Sequence, residues 1–216
     1  MDYNEHINHI KDIIDSIPMH KVTILTGGNG SGKSFIRKQI VFTVGRAFNL
    51  SMNEMRHCVK AVSMQTRTEQ KTEWGALSSA MHDSPWMPTS YSTYQLIKRL
   101  MDIVIKEDEF NNYIVLDEIE IGMSAESIAG IVNFLNDCFS KIDFEKCYGI
   151  MVITHSDRVV RTLNHNNFVN IEGLSEEEWL NREIVPTDFE KLDKESGELM
   201  RAIEERLKPV KDVKDY

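Results

Sequence analysis

Residues 22–34 read VTILTGGNGSGKS, so that an apolar run passes directly into a loop rich in glycine. Val22-Thr23-Ile24-Leu25 has the length and composition of a short buried strand. After the loop, apolar residues recur at the spacing that lines one face of a helix: Phe35, Ile36, Ile40, Val44 and Phe48. The local prediction is a strand, a glycine-rich loop and a helix, in that order.

The loop Gly27-Gly28-Asn29-Gly30-Ser31-Gly32-Lys33-Ser34 fits the P-loop pattern of a glycine, four residues and Gly-Lys-Ser. Glycines let the backbone curl so that amide N–H groups face a phosphate, and the start of the helix adds its positive dipole end. We expect Lys33 to reach the β- and γ-phosphates of a nucleotide and the Ser34 hydroxyl to hold Mg²⁺. Phe35, which follows the loop, is included among the expected nucleotide-binding residues.

The rest of the chain alternates strand-like and helix-like segments. Apolar runs predict strands at 59–64, 113–116, 149–153 and 168–171, and helical periodicity predicts helices at 4–17, from Tyr94, from Ser124 and at 189–207. The alternation predicts an α/β three-layer sandwich with a mainly parallel sheet and a ligand at the carboxyl ends of the strands. We expect one domain over residues 1–216, with a core at 22–156 and an acidic helical tail at 188–216.

Two acidic residues and a histidine follow predicted strands. Asp117 is expected to reach the Mg²⁺ held by Ser34, and Glu118 to polarise the water that attacks the γ-phosphate. His155 lies at the tip of the next strand, where its imidazole can donate a hydrogen bond to the γ-phosphate or orient the water. Lys33, Glu118 and His155 are therefore the predicted catalytic residues; a loop start and a structural histidine are the alternatives for the acidic pair and for His155.

This order of a P-loop, a glutamine after a strand, Asp-Glu and a histidine at a strand tip resembles the ATP-binding-cassette (ABC) ATPases. The resemblance covers roughly Val22 to Ser156 and implies that ATP and Mg²⁺ are the cofactors. It implies that Gln65 contacts Mg²⁺ and the attacking water, which makes Ser34, Gln65 and Asp117 the expected metal ligands. A loop glutamine without a role is the alternative for Gln65.

The signature loop of that family opens a helix and closes over the ATP of the partner subunit. Its best match here is Ser90 to Gln95, where Ser92 would contact nucleotide, although Thr93 and Tyr94 stand where glycines are usual. A helix cap by Ser92 is the alternative. Residues 119–124 resemble the segment that crosses the dimer interface in stand-alone members, such as chromosome-maintenance and DNA-repair ATPases. The resemblance thus implies a head-to-tail homodimer in the ATP state.

The sequence departs from the ABC pattern at two places. The chain before the P-loop is mostly a helix, which leaves little room for the strands that usually carry an aromatic residue for stacking on adenine. The stretch between Gln65 and Ser92 is short, so a reduced helical subdomain is expected. ATP is consequently inferred from the resemblance.

Composition limits the other possibilities. The formal charge of −9 opposes non-specific nucleic-acid binding by the whole surface, although basic residues concentrate in the first third of the chain. The apolar runs are far shorter than the roughly 20 residues of a membrane span, and residues 1–6 do not resemble a secretory signal. Three widely spaced cysteines are expected to be reduced core thiols. We therefore expect a cytoplasmic protein.

The favoured hypothesis is an ATPase whose ATP-driven dimerisation acts on a partner such as DNA or a defence or repair complex. One alternative is a nucleotide-dependent binding module that hydrolyses ATP slowly, and another is the ATPase subunit of an ABC transporter. A small kinase is disfavoured, because Glu118 after Asp117, together with His155, suits water activation better than a second substrate.

Overall fold

The computed structural model describes residues 3–28, 31–63, 88–106 and 112–183. Every helix and strand given below lies in the compact unit Met1–Asn181, and of the second unit, Arg182–Tyr216, only residues 182 and 183 are described. The expected helix at 189–207 and tail at 188–216 lie outside the described residues. The single-domain organisation stays a prediction.

Five strands form one sheet in the order β2-β3-β4-β1-β5. The strands are β1 (Val22–Thr26), β2 (Val59–Ser63), β3 (Asn112–Asp117), β4 (Cys147–Ile153) and β5 (Asn167–Asn170). All four pairings are parallel. Strands β1 and β4 are buried along their whole length, as expected for a parallel sheet that is covered on both sides. The predicted α/β fold is confirmed.

Helices cover the sheet. They are α1 (Tyr3–Ser16), α2 (Lys33–Ala47), α3 (Met52–Cys58), α4 (Thr89–Lys106), α5 (Ala125–Phe139), α6 (Asp157–Thr162) and α7 (Glu176–Leu180). Helix α4 begins at Thr89 rather than near Tyr94, and the amides of Tyr91 and Ser92 donate to the carbonyl of Pro88. Ser92 is therefore inside the first turns of α4, not its cap. Among the described helices none has the length and apolar content of a membrane span.

The two faces of the sheet carry separate hydrophobic cores. In β1, Ile24 packs into one core and Leu25 into the other, because successive strand residues point to opposite faces. The first core joins the sheet to α4 and α5, and the second joins it to α1 and α2. Cys58, Cys138 and Cys147 are buried free thiols, as predicted.

The strand register brings four chain segments to one edge of the sheet. Ser63 pairs with Asp117, Asp117 pairs with Ile153, and Leu25 also pairs with Ile153. The glycine loop after β1, the acidic pair at the end of β3, the turn after β4 and the turn after β5 therefore adjoin one another. This carboxyl edge holds the candidate site.

Candidate nucleotide-binding site

The glycine loop is held by close packing and leads directly into α2. Gly32, which precedes the helix, has φ +110°, a backbone conformation that favours glycine. A Cβ on Gly27 would lie 2.7 Å from Ser31 Oγ and 3.2 Å from Ile171 Cβ. Any larger residue at position 27 would displace the loop. Asn29 and Gly30 lie outside the described residues.

Lys33 is folded back on its own loop. Its Nζ donates hydrogen bonds to the carbonyls of Gly27 at 3.0 Å and Gly28 at 2.8 Å, and only 7% of the residue is exposed. Burial lowers the pKa of Lys33, while the carboxylates of Glu118, Glu172 and Asp117 act in the opposite direction. Phosphate oxygens would offer this ammonium stronger, charge-assisted partners than two carbonyl groups.

A cavity of about 230 Å³ opens beside Lys33. It is lined by Lys33, Ser34, Arg37, Lys38, Ser63, Asp117 and Glu118. The lining combines cationic groups suited to phosphates with hydroxyl and carboxylate oxygens suited to a hard metal ion. Four of the site residues predicted from the sequence thus meet in one cavity.

Asp117 is paired with a residue that the sequence analysis did not assign to the site. Its Oδ2 accepts a hydrogen bond from Arg37 Nη1 at 2.9 Å. Burial raises the pKa of Asp117, and the charge of Arg37 opposes that shift. Arg37 lies four residues after Lys33 in α2, on the same helix face. That spacing is the signal that would have identified it.

Glu118 and His155, which follow β3 and β4, lie side by side. Glu118 has φ +50°, an uncommon backbone conformation for a non-glycine residue, and its amide donates to the Ile153 carbonyl at 2.9 Å. Its Oε1 lies 3.1 Å from His155 Nε2, although the two groups are not aligned for a hydrogen bond. The two side chains are about one third exposed, at 30% for Glu118 and 37% for His155. Water therefore reaches part of each side chain, although the Nε2 atom of His155 is itself buried.

A second carboxylate braces the turn that carries His155. Glu120 Oε1 accepts hydrogen bonds from Thr154 Oγ1 and, at 3.1 Å, from the backbone amide of His155. Thr154 Oγ1 in turn accepts from the amide of Ser156 at 3.0 Å. Glu120 falls in the segment that the resemblance assigns to a dimer interface, but its carboxylate bonds within its own chain. No pattern in the sequence marked Glu120 as a residue of the site.

Glu172 is a further acidic residue at the loop. Its Oε1 accepts a hydrogen bond from the Gly28 amide, and its Oε2 accepts one from Asn170 Nδ2 at 3.1 Å. It follows β5, which is the neighbour of β1 in the sheet. Acidic residues that follow parallel strands lie at the same edge of the sheet, and this holds for Glu172 as well as for Asp117. The sequence alone could not place Glu172 beside the glycine loop, because that requires knowing that β5 is the neighbour of β1.

Ser92 and Phe35, which were predicted to contact nucleotide, do not line this cavity. Gln65 lies outside the described residues, two positions after Ser63, which does line it. Ser92 is buried in α4, with 9% exposure. Phe35 is 41% exposed and lines a different cavity, between α1 and α2.

The donor groups suit a magnesium ion bound together with phosphates. Within the described ranges, no group of three or more His, Cys, Asp and Glu side chains could hold a metal ion. Mg²⁺, however, commonly takes one or two protein oxygens and completes its shell with phosphates and water. The Ser34 hydroxyl and the Asp117 carboxylate provide oxygens of that type. In the loop, Ser31 Oγ is buried and makes no hydrogen bond within the described part of the chain.

The parallel sheet, together with the run of β1, glycine loop and α2, defines a fold of the P-loop NTPase type. No family model matches the chain, and no curated protein matches its sequence. The chain is similar to a solved ATP-binding subunit of an ABC transporter, with 14% identity, 71% of this chain and 75% of that chain covered, and a TM-score of 0.37. It is also similar to C. elegans PCH-2, with 12% identity, 92% of this chain covered and a TM-score of 0.38. The match covers 46% of the PCH-2 chain.

Proposed function

We propose that this protein is a Mg²⁺-dependent ATPase of the ATP-binding-cassette kind. The observation that carries the proposal is the meeting of Lys33, Ser34, Asp117 and Glu118 in one cavity beside the glycine loop. His155, from a third strand end, adds an imidazole nitrogen 3.1 Å from the Glu118 carboxylate. Phosphoryl transfer asks a protein mainly for positioning and charge stabilisation, and this arrangement of charges supplies both.

The phosphate-binding role falls to α2 and the loop before it. Lys33 would exchange its two loop carbonyls for β- and γ-phosphate oxygens, while the start of α2 directs its positive dipole end at the same position. Ser34 and Asp117 would hold a Mg²⁺ ion, which would supply charge neutralisation for the phosphates. Arg37, now bound to Asp117, would balance the charge of that carboxylate until the metal binds.

Activation of water falls to the turns after β3 and β4. Glu118 is partly exposed, so its carboxylate can accept a hydrogen bond from a water molecule in the cavity and polarise it. His155 lies beside that carboxylate and would orient the water or donate to the γ-phosphate. Glu120 acts as a positioning residue, because it holds the His155 backbone.

We extend the proposal to a head-to-tail homodimer that forms with ATP and acts on a partner such as DNA or a defence or repair complex. Ser92 lies outside the cavity of its own chain and is buried in α4, so the support for a dimer comes from the exposed residues around it and not from Ser92 itself. The start of α4 adjoins the turn after Glu118, since a Cβ on Gly122 would lie 3.8 Å from Thr89 Cγ2. Tyr91 and Ile121 are 46% and 37% exposed there, so this region carries apolar surface suited to a second subunit.

One contact favours a second candidate, a binding module that uses ATP to assemble and hydrolyses it slowly. Thr93 stands where the ABC signature usually has a glycine, so a contact with the nucleotide would have to use its hydroxyl. Its Oγ1 instead donates to the Thr89 carbonyl at 3.0 Å, and the residue is fully buried in α4. That hydroxyl is directed into its own helix, which weakens a contact across the dimer.

The test is ATP turnover and solution mass, with and without Mg-ATP, for the wild type and Glu118→Gln. We expect the substitution to lower turnover by about 100-fold or more, because the general base is removed while the site's shape is kept. It should also trap an ATP-dependent dimer. Glu145→Gln, an exposed position away from the cavity, is the matched control and should leave both readouts unchanged.

Three other results would distinguish the candidates. If the wild type dimerises with ATP but hydrolyses it no faster than the Glu118→Gln variant does, the protein is a binding module. Turnover that survives Glu118→Gln contradicts the role of Glu118. A chain that binds ATP and remains a monomer contradicts the composite dimer site.

A further inference from the structure

A second cavity of about 230 Å³ lies between α1 and α2. Lys11 and Asp15 of α1 line one side of it, and Phe35, Gln39 and Thr43 of α2 line the other. It shares no lining residue with the cavity that contains Asp117 and Glu118. Its lining is mostly polar, with one aromatic ring at the end nearest the glycine loop.

The α1/α2 cavity begins where the phosphate site ends. Phe35 directly follows Ser34, and at the helical rise Phe35 and Gln39 lie about 1.5 and about 7.5 Å beyond Ser34 along the axis of α2. Helix α1 reaches the same edge of the sheet, because His9 Nε2 is 2.7 Å from the Ile171 carbonyl and Ile171 packs against Gly27. A nucleotide whose phosphates lie on the loop therefore has this cavity within reach of its base.

Three side chains that line the cavity are suited to a nucleobase. Phe35 is 41% exposed, although burial of an aromatic ring is strongly favourable. The exposed face of its ring can stack on a planar base. Asp15 can accept a hydrogen bond from the exocyclic amino group of adenine. The Gln39 amide can donate to a ring nitrogen and accept from the amino group, which is the pairing that amides make with adenine.

We infer that the α1/α2 cavity is the nucleobase site, in which adenine stacks on Phe35 and forms hydrogen bonds with Asp15 and Gln39. This inference rests on the proposed function, because it takes the phosphates to lie on residues 27–34. It assigns base binding to the two helices α1 and α2, which line this cavity.

The experiment compares the binding of ATP and of inorganic tripolyphosphate, both with Mg²⁺, by calorimetry. We expect Phe35→Ala to weaken ATP binding by roughly 5- to 100-fold, the range of one lost stacking contact, and to leave tripolyphosphate binding within about twofold. Phe35→Trp, which keeps an aromatic face, should retain ATP binding. Phe42→Ala is the matched control, because Phe42 is 44% exposed on the same helix but does not line the cavity.

The comparison of ATP with tripolyphosphate distinguishes the nucleobase site from the phosphate site. If Phe35→Ala weakens ATP and tripolyphosphate equally, or weakens neither, the nucleobase site is overturned while the phosphate site stands. The same holds if the wild type binds ATP no more tightly than tripolyphosphate. A wild type that binds neither ligand overturns the proposed function and the nucleobase site with it.

Discussion

Lys33 and Asp117 share a property at the scale of single residues: burial drives each of them toward its neutral form. Burial lowers the pKa of Lys33 and raises the pKa of Asp117, even though each has oppositely charged groups nearby. Buried ionisable groups of this kind cost folding stability and are concentrated where a protein binds or transforms a ligand. The nucleotide-free protein should therefore become more stable when the Asp117 charge is removed.

Asp117→Asn should raise the free energy of unfolding at pH 7, and the gain should grow with pH. The pKa of Asp117 is raised in the folded state, so protonation of this carboxyl favours folding. Its contribution to the free energy of unfolding is complete at pH values below the usual pKa of aspartate, and it is lost as the pH rises through the raised pKa. Asparagine does not titrate and can still accept the hydrogen bond from Arg37. Urea unfolding between pH 4 and pH 8 measures the difference from the wild type.

Arg37→Ala should shift the stability in the opposite direction. It removes the guanidinium 2.9 Å from the Asp117 carboxylate and should lower the free energy of unfolding by about 1–3 kcal/mol at pH 7. The loss should shrink at low pH, where Asp117 is protonated. An Asp117→Asn variant less stable than the wild type at pH 7 would show that the ion pair outweighs the burial of the carboxylate.

At the scale of single elements, β4 depends on one glycine for its place against β3. Gly149 has φ +145°, and a Cβ there would lie 2.9 Å from the ring of Tyr113 and 3.4 Å from the Lys21 carbonyl. Tyr113 is 1% exposed, so its ring has no free space to move into. The β3/β4 register is also irregular at Asn112 and Tyr113, next to this contact.

Gly149→Ala should therefore destabilise the protein by about 2–4 kcal/mol, because it combines backbone strain with overpacking. Gly130→Ala is the matched control: this glycine is exposed in α5 and nothing lies within 4 Å of an added Cβ. It should stabilise the protein by about 0.5–1 kcal/mol. Urea unfolding of both variants checks the pair, and a Gly149→Ala variant as stable as the wild type would refute the packing argument.

The helices and strands also differ in how well the sequence pattern predicts them. Apolar periodicity located α4 from its buried stripe but missed its first turn, because Thr89, Ser90, Ser92 and Thr93 are polar and give no apolar stripe there. The strands themselves were predicted nearly residue by residue, since each is an apolar run. Their order was not predicted, because the choice of neighbours is made by packing of the whole sheet and not by any one strand.

At the scale of the whole molecule, the site is assembled from distant parts of the chain. Arg37 is 80 residues from Asp117, and Gly28 is 144 residues from Glu172. The sequence predicted Lys33 from the P-loop motif. It predicted Asp117 and His155 because each follows an apolar strand. Arg37 and Glu172 carry only weak local marks, a helical spacing from Lys33 and a position after β5, and the three-dimensional contacts were needed to assign them to the site.

The most direct measurement of the central claim is the equilibrium binding of ATP, with and without Mg²⁺, to the wild type and to Lys33→Met. We predict Mg²⁺-strengthened binding to the wild type and a loss on the order of 100-fold in the variant, which keeps the side-chain volume but removes the charge. Lys21→Ala, an exposed lysine at the opposite end of β1, should bind as the wild type does. If the wild type does not bind ATP, or if Lys33→Met binds it equally well, the glycine loop is not a nucleotide site.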